Sequence, residues 1–296
     1  MIEVIDLEKS FGEKHVLNRL IFTVNQGSVY GLLGSNGAGK TTTINILCNL
    51  LDGDAGNVSI NGKAVSGKTK NLLGVVLQEI ALYKDLTCRE NLLFFGRIYN
   101  LSQVQLMAKT NELIQTFKLG EYADMPVSKL SGGWQRRVNM SVALVHSLST
   151  LILDEPTAGL DIEARYELWD LIASLKETDV TILLTTHQLE EAEKLCTCIG
   201  ILKNGSIVAE GSLDELRNLV QAKQIALVET DMETDLYQRL TSLGWKHRKY
   251  GGRLSLLLPD QFTLKEIIDK LDGIPLSSIS LQEVGLEHIY LEVTSD

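Results

Sequence analysis

The stretch of sequence that decides the fold is Gly34-Ser35-Asn36-Gly37-Ala38-Gly39-Lys40-Thr41. The next residue, Thr42, is included in the predicted loop. The stretch has the spacing G-x-x-x-x-G-K-[ST], whose glycines let successive backbone N–H groups turn toward the oxygens of a phosphate group. An apolar run at 28–33 precedes the loop and a helical pattern at 40–48 follows it, which is the context that the motif requires. We therefore predict that residues 34–42 bind the phosphates of a nucleotide.

Two side chains of this loop have defined chemistry. Lys40 can reach the β- and γ-phosphates, and the hydroxyl of Thr41 is a suitable ligand for Mg²⁺. The N-terminus of the following helix adds the positive end of its dipole. The loop thus predicts a magnesium-bound nucleotide, with Lys40 among the catalytic residues and Thr41 among the metal ligands.

A pair of acidic residues, Asp154 and Glu155, ends another apolar run at 151–153. Because side chains alternate along a strand, adjacent acids point in different directions and can perform different tasks. We assign Asp154 to Mg²⁺, directly or through water, and Glu155 to the attacking water as its general base. Acidic residues often follow strands, so this assignment depends on the phosphate loop upstream.

Strand-like runs and helical stretches alternate through about residue 220. Runs typical of strands are found at 2–7, 21–24, 28–33, 72–77, 151–153 and 181–184, and a hairpin is predicted around Asn204-Gly205. Residues 85–147 instead have apolar residues at helical spacing. This order predicts an α/β nucleotide-binding domain over 1–220, with a mostly parallel sheet and an inserted helical subdomain at about 85–147.

The pattern changes after Val220. Strands are predicted at 225–229, 245–250, 253–258 and 278–282, with a turn at Gly251-Gly252 between the second and the third. Helices are predicted at 233–243, 263–271 and 286–293. The order β-α-β-β-α-β predicts a small ferredoxin-like α+β module, which we interpret as a C-terminal accessory domain over 221–296.

The composition narrows the classes of function. The 296 residues have a formal net charge of −10 and no basic stripe, which disfavours a nucleic-acid partner. No apolar run reaches the roughly 20 residues that a membrane-spanning helix needs. No signal-peptide pattern is found either. The spacing of the cysteines does not fit a zinc site, so we interpret them as reduced thiols: Cys48, Cys88, Cys196 and Cys198.

Two further motifs indicate a family. Residues Leu130-Ser131-Gly132-Gly133-Trp134-Gln135 open a helix, and His187 follows the strand pattern that ends at Thr186. With Asp154-Glu155-Pro156-Thr157-Ala158-Gly159-Leu160-Asp161 between them, the chain resembles the nucleotide-binding domains of ABC transporters over 1–220. The resemblance implies a P-loop ATPase fold that includes an antiparallel β subdomain, with ATP as the nucleotide and Mg²⁺ as its metal.

The resemblance also implies roles for residues that act on the nucleotide of the same chain. Phe11 matches the aromatic residue that stacks on adenine, and Gln78 matches the glutamine that contacts Mg²⁺ and links to the membrane partner. His187 matches the histidine that contacts the γ-phosphate. Together with Glu155 and Lys40, Gln78 and His187 make up the predicted catalytic set.

Other matched residues are expected to act on the nucleotide of a second copy. Ser131, Gly132 and Gly133 match the signature motif that caps the γ-phosphate of the opposite subunit, and Asp161 matches an acid at the dimer interface. A helix N-terminus with a serine and two glycines is a suitable anion site. The family usually has glutamine where Trp134 stands, and an indole cannot copy an amide's hydrogen bonds. We therefore assign Trp134 no catalytic role.

Residues 78–99 look like those of a bacterial export branch that includes daunorubicin-type drug exporters and sodium exporters, and residues 286–294 resemble it more weakly. The resemblance implies an ATP-hydrolysing subunit that dimerises around two MgATP and drives a separate membrane permease from the cytoplasmic face of the membrane. A drug, a peptide, a lipid-linked glycan and sodium all stay open as cargo. The candidate surface for the permease is the exposed part of an apolar cluster: Leu92, Leu93, Phe94, Phe95, Ile98 and Tyr99.

Three other functions fit parts of the pattern. An ABC protein that acts on ribosomes would carry two cassettes, and a DNA-repair ATPase would need a long coiled coil between Lys40 and Asp154; the sequence shows neither. A catalytically weak scaffold cassette is favoured only by Trp134. An assay of phosphate release would separate such a scaffold from an enzyme.

Overall fold

The computed structural model describes residues 1–146, 148–250 and 253–295. The chain divides into two compact units, Met1–Ser212 and Leu213–Asp296, and each unit has hydrophobic core residues of its own. The predicted boundary of the nucleotide-binding domain at residue 220 stays a prediction. Among the described residues, no helix combines the length and the apolar character needed to cross a bilayer.

The described part of the first unit, residues 1–146 and 148–212, contains ten strands and six helices. The strands are β1 (Ile2–Phe11), β2 (Lys14–Val24), β3 (Val29–Leu33), β4 (Ala55–Ile60), β5 (Lys63–Ala64), β6 (Gly74–Val76), β7 (Thr150–Asp154), β8 (Thr181–Thr186), β9 (Cys198–Lys203) and β10 (Ser206–Gly211). The helices are α1 (Lys40–Leu47), α2 (Cys88–Ile98), α3 (Gln103–Thr116), α4 (Gly132–Ala143), α5 (Ile162–Lys176) and α6 (Leu189–Leu195).

Six of these strands form a central sheet in the order β10-β9-β3-β8-β7-β6. Its neighbours are parallel except β9 and β10, which form an antiparallel hairpin. The other four strands form an antiparallel sheet in the order β2-β1-β4-β5. The predicted α/β fold, with a mostly parallel sheet and an antiparallel β subdomain, is confirmed.

The central strands are apolar along their whole length because both faces of the sheet are covered. Every residue of β3, β7 and β8 is buried. Since side chains alternate along a strand, Leu151 and Leu153 pack in one cluster with Trp169 of α5, whereas Ile152 packs in another with Ile44 of α1. The phosphate loop and the Asp154–Glu155 pair therefore follow strands that are fixed on both sides.

Several predicted elements differ from the structure. The strand predicted at 21–24 is the end of the longer β2, the strand predicted at 2–7 extends to Phe11, and β4 and β5 were not predicted. The stretch predicted as a strand at 72–77 begins as a 3₁₀ turn, Thr69–Leu72, and only Gly74–Val76 forms β6. The helical stretch predicted at 85–147 contains three helices: a short loop at 99–102 separates α2 from α3, and two 3₁₀ turns, Gly120–Tyr122 and Val127–Lys129, lie between α3 and α4. Capping boxes start α2 and α3 and satisfy the first free N–H groups of each helix, so a new helix begins at each of these points.

In the second unit, the residues that the structure describes form four strands and four helices. They are α7 (Leu213–Arg217), β11 (Gln224–Glu229), α8 (Glu233–Leu243), β12 (Lys246–Tyr250), β13 (Arg253–Leu258), α9 (Leu264–Lys270), β14 (Ser278–Gln282) and α10 (Leu286–Thr294). The sheet order is β12-β13-β11-β14 with every pair antiparallel, which is a ferredoxin-like arrangement. Leu240 of α8 and Ile267 of α9 pack in its core with Leu256 of β13. The predicted turn at Gly251-Gly252 lies outside the described residues.

Candidate nucleotide site

The phosphate loop joins the end of β3 to the first residue of α1. Gly39 has a φ of 116°, and a Cβ there would lie 2.6 Å from Leu17 Cδ2. A Cβ on Gly34 would lie 2.7 Å from the backbone oxygen of Leu202. Gly39 needs glycine because of its backbone conformation and because Leu17 lies too close for a side chain. Gly34 needs glycine because the backbone of Leu202 lies too close. The tight loop leaves the N-terminus of α1 facing the cavity described below.

The side chain of Lys40 folds back over this loop. Its ammonium group donates hydrogen bonds to the backbone oxygens of Gly34 and Ser35, at 2.8 and 3.1 Å. It also lies 3.3 Å from Oε1 of Glu155. Because the side chain of Lys40 is buried, these contacts fix its charge at one end of the loop. A phosphate group bound by the loop would therefore meet a cation whose position is already set.

Glu155 leaves β7 in a left-handed backbone conformation, with a φ of 46°. Such a conformation costs free energy for a residue with a side chain and persists only where the surroundings hold it. The N–H of Glu155 donates to the backbone oxygen of Thr185 at 3.1 Å and lies 3.2 Å from the Thr185 hydroxyl. Its carboxylate lies 3.2 Å from Nδ1 of His187. The strained turn thus directs the Glu155 carboxylate to a point between Lys40 and His187.

Asp154 occupies the last position of β7 and is buried. The hydroxyl of Thr185 donates to one carboxylate oxygen at 2.5 Å, and the hydroxyl of Thr41 lies 3.5 Å from the other. Burial raises the pKa of Asp154 above its ordinary value, and the hydrogen bond from Thr185 opposes that rise. The two adjacent acids point to different partners, as strand alternation predicts.

These oxygens fit a magnesium ion. Mg²⁺ is bound in proteins through one or two carboxylates, together with water and phosphate oxygens. The Asp154 carboxylate beside the Thr41 hydroxyl provides this donor set, at the point where the phosphate loop ends. Gln78 adds an amide that faces the same cavity.

A cavity of about 500 Å³ opens beside the loop. Nine predicted residues line it: Asn36, Gly37, Gly39, Lys40, Thr41, Thr42, Gln78, Glu155 and His187. Gly34, Ser35 and Ala38 belong to the same loop but are not among the lining residues, and neither is Phe11. Phe11 ends β1 with about half of its surface exposed (51%). Lys14, Val16 and Ala158 also line the cavity, although none of the three was predicted as a site residue.

Arg136 is a buried residue that the motifs did not single out. Its guanidinium donates to the backbone oxygens of Leu77 and Gln78, at 2.7 and 2.8 Å. Burial lowers the pKa of this guanidinium. Arg136 belongs to α4, which begins at the signature motif, so one side chain joins that helix to the backbone of Gln78. Only its position after Gly133 could have suggested it, because the contact joins residues that are far apart in the chain.

The other matched residues lie at the starts of two helices. Ser131 is the N-cap of α4, and its exposed side chain makes no capping hydrogen bond. Asp161 is the N-cap of α5 and accepts a hydrogen bond from the N–H of Ala164 at 2.8 Å. A Cβ on Gly133 would lie 2.9 Å from Cβ of Ala164, so α4 and α5 pack tightly where they begin. These residues are exposed or half-buried away from the cavity lining.

Trp134 packs instead of hydrogen bonding. Its ring lies 4.3 Å from that of Tyr122, and the guanidinium of Arg137 lies 4.4 Å from its centroid. Arg137 also forms an ion pair of 2.6 Å with Glu167 of α5. The indole therefore supports a cation that joins α4 to α5, which is a different role from that of an amide.

Comparison with known proteins agrees with this geometry. The family model described as ABC transporter matches residues 17–158. The linearmycin resistance ATP-binding protein LnrL of Bacillus subtilis is 37% identical over 99% of this chain and 98% of its own length. The daunorubicin resistance ATP-binding protein DrrA2 of Streptomyces coeruleorubidus is 33% identical over 97% and 93%. A Nod factor export ATP-binding protein I of Burkholderia lata is 45% identical over 71% and 70%.

Solved structures agree as well. An ATP-binding subunit of an ABC transporter is 32% identical, with a TM-score of 0.66, over 74% of this chain and 92% of that one. A dimeric, post-hydrolysis ATP-binding cassette bound to ADP and Pi is 25% identical, with a TM-score of 0.64, over 72% and 98%. The fold and the phosphate loop define a P-loop nucleotide hydrolase. Within that class, the chain belongs to the family of ABC transporter ATP-binding proteins, the ATP-hydrolysing subunits of these transporters.

Proposed function

We propose that this chain binds MgATP between its phosphate loop and the signature motif of a second copy, hydrolyses it at Glu155, and drives export through a separate membrane subunit. One observation carries the proposal. The same oxygen of Glu155 lies 3.3 Å from the ammonium of Lys40 and 3.2 Å from the imidazole of His187, at the wall of the cavity. A base, a cation and a hydrogen-bonding imidazole around one point are the groups that phosphoryl transfer to water needs.

Each of these groups has a separate task in the proposed reaction. ATP is the substrate, and its β- and γ-phosphates bind to the N–H groups of residues 34–42 and to Lys40. Glu155 orients the attacking water and accepts its proton, while His187 donates a hydrogen bond to the γ-phosphate. The positive charge of Lys40 offsets the negative charge that the phosphate oxygens carry in the transition state. Phe11, exposed at the end of β1, stacks on the adenine.

Mg²⁺ would be held by Thr41 and Asp154 with Gln78 near them, because these donors fit its preference for oxygen. When bound, the ion neutralises charge on the phosphate oxygens. Arg136 positions Gln78 by binding its backbone oxygen. Gln78 therefore belongs both to the metal site and to the link with the signature helix α4.

A second copy supplies the other half of each site in this proposal. The exposed Ser131, Gly132 and Gly133 open α4, whose 12 residues carry a dipole with its positive end at that point. Asp161, at the start of the neighbouring helix, adds a contact between the copies. The chain's similarity to a dimeric cassette supports this arrangement. ATP then joins the two copies, and its hydrolysis releases them.

A groove of about 260 Å³ supports the proposed membrane partner. It is lined by Phe95 of α2 and by Tyr99, the residue after that helix, together with Leu50 and with Leu77, the residue before Gln78. Of the cluster considered for this contact, Phe94 and Ile98 are exposed, while Leu92 is fully buried and belongs to the core. Around the groove, Leu50 and Tyr83 are also exposed. An apolar groove beside Gln78 suits a cytoplasmic helix of the permease, which would hold this chain at the cytoplasmic face of the membrane.

The direction of transport rests on the relatives. Two of them that align along nearly the whole chain are named for resistance to linearmycin and daunorubicin, and another for export of Nod factor. These names support export as the direction of transport. The cargo-binding residues would belong to the permease, because the cavity beside the phosphate loop is the proposed site of the nucleotide.

The test is to tag the chain in its native host, solubilise the membranes gently, and identify what co-purifies. We expect a polytopic membrane protein in comparable amount. Leu50→Glu should abolish this capture, because it places a charge in the groove at a side chain that is 61% exposed and therefore tolerant of change. Val104→Glu, on the exposed face of α3, is the matched control and should retain the partner.

Phosphate release is measured on the same preparations. Hydrolysis without a membrane partner would contradict the transport role and favour a non-transport ATPase. A membrane partner without hydrolysis would indicate a scaffold cassette. Equal capture by wild type and by Leu50→Glu would remove the groove from the proposal.

A further inference from the structure

A buried carboxylate that the proposed mechanism does not use lies behind the Glu155–His187 pair. Glu191, on α6, is 0% exposed. Its Oε1 accepts hydrogen bonds from the hydroxyl of Thr157 at 2.6 Å and from Nε1 of Trp169 at 3.1 Å. Its Oε2 has no hydrogen-bond partner among the described residues. A buried acid with one unpaired oxygen is costly, so its presence needs an explanation.

The partners of Glu191 connect it to both catalytic loops. Thr157 is fully buried and stands two residues after Glu155, in the loop that leaves β7. His187 stands four residues before Glu191, in the loop that joins β8 to α6. The amide of Gln188 also lies 3.4 Å from the Thr157 hydroxyl. The Thr157 hydroxyl therefore joins the loop of Glu155 to the segment that carries His187.

The backbone of Glu155 needs such support. It has the left-handed conformation described above, which the surrounding structure must hold. Thr185 binds the N–H of Glu155 and so fixes the side of the turn that faces β8. The far side is fixed through Thr157, whose hydroxyl is held by Glu191. Without the second anchor, the loop would be free to relax toward a less strained conformation.

We propose that Glu191 is a positioning residue, which holds Glu155 and His187 at their 3.2 Å separation through the hydroxyl of Thr157. This inference rests on the roles proposed above for Glu155 and His187. Glu191 touches neither the cavity nor the substrate, so it acts on the rate of hydrolysis and leaves the binding of ATP intact. Displacement of a catalytic group by about 1 Å can lower a rate on the order of a hundredfold.

The experiment compares four variants of the full chain by steady-state ATP hydrolysis. Glu191→Ala and Thr157→Val each remove the link between Thr157 and the carboxylate, and we expect kcat to fall by roughly ten- to a hundredfold with KM for ATP changed less than about twofold. Glu191→Gln keeps an oxygen that both donors can reach, so we expect it to restore most of kcat. Trp169→Phe removes the other donor to the same oxygen but leaves Thr157 in place, and it should keep kcat near that of wild type.

This experiment distinguishes an error in the role of Glu191 from an error in the proposed function of the whole chain. If wild type hydrolyses ATP and Glu191→Ala does so at the same rate, Glu191 has no positioning role. If Trp169→Phe loses as much activity as Thr157→Val, the carboxylate only stabilises the fold, and this inference is wrong. If wild type itself releases no phosphate, the proposed function fails before Glu191 is tested. Circular dichroism of each variant, with and without MgATP, verifies that the compared proteins are folded.

Discussion

Glu155 is the residue on which the proposed chemistry depends most. Replacing it with glutamine keeps the size of the side chain and removes its basicity, so we expect hydrolysis to fall by about two orders of magnitude or more. Binding of MgATP is retained, and the bound nucleotide then holds two copies together. Light scattering with MgATP should show a dimer for Glu155→Gln. A monomer under these conditions would contradict the sandwich arrangement, and Glu177→Gln, at the exposed far end of α5, is the control.

Lys40 offers a second test at this scale. Lys40→Ala removes the cation beside the loop, and among the described residues His187 is then the remaining ion-pair partner of the Glu155 carboxylate. We expect phosphate release to fall to background. Lys14→Ala removes another lysine that lines the same cavity but makes none of these contacts, and it should have a smaller effect. Turnover by Lys40→Ala would show that Lys40 lies outside the reactive centre.

Single residues were predictable where a local spacing carries the chemistry. Lys40, Thr41, Asp154 and Glu155 are identified by their distance from a glycine-rich loop or a strand end, and these distances are properties of the sequence. Arg136 and Glu191 were not predictable, because an arginine or a glutamate on a helix is usually exposed. Their roles depend on the atoms opposite them, which only the folded chain brings together.

At the scale of elements, the packing of α4 on α5 gives a test with an internal control. Gly133→Ala would place a Cβ 2.9 Å from Cβ of Ala164, whereas the nearest atom to a Cβ on Gly132 lies at 3.9 Å. We therefore expect Gly133→Ala to lower the free energy of unfolding by about 1–3 kcal/mol. Gly132→Ala should change it little. Urea denaturation of both variants checks this, and equal stabilities would show that the two helices can separate at no cost.

The turn that follows α4 predicts how the stability of the protein depends on pH. The ring of His146 stacks on Tyr99 at 3.5 Å, and burial lowers the pKa of His146 from 6.5 to about 4. Between these values the unfolded chain binds the proton and the folded chain does not, so stability falls as the pH drops from 6.5 toward 4. His146→Phe keeps the stacked ring without the titration and should lose less stability over this range. Identical pH profiles, from urea denaturation at pH 8 and pH 5, would contradict this account.

Elements were predictable in type and less so in extent. The buried strands of the parallel sheet were found because they are apolar on both faces. The stretch at 72–77 is also apolar, but only Gly74–Val76 pair with β7, and its first residue, Leu72, belongs to the preceding 3₁₀ turn. Helices α2 to α4 share one apolar periodicity, and the capping residues between them are common polar types. The spacing of Thr87 and Glu90, and of Ser102 and Gln105, is nevertheless a signal in the sequence for a helix start, and the hydrogen bonds of the two capping boxes show that it acts at both positions.

At the scale of the whole molecule, the division into two compact units predicts two unfolding events. The residues of each unit pack in separate clusters, so we expect calorimetry to resolve two transitions. In the proposed function, MgATP binds to the first unit. It should therefore raise the free energy of unfolding of that unit alone, by about 2.7 kcal/mol at a concentration a hundredfold above Kd. Glu155→Gln is the suitable protein, because it does not consume the ligand during the scan. A single transition that moves as a whole would show that the units unfold together.

The packing of Trp134 also gives the molecule a built-in optical reporter. The chain has three tryptophans. Trp169 and Trp245 are buried in the first and second units, whereas Trp134 is half-buried beside the signature motif. We expect the emission maximum and the intensity of Trp134 fluorescence to change when a second copy covers that surface. Trp134→Phe should abolish this change. The residue that departs from the family's usual glutamine thus makes each closing and opening of the pair visible without a label.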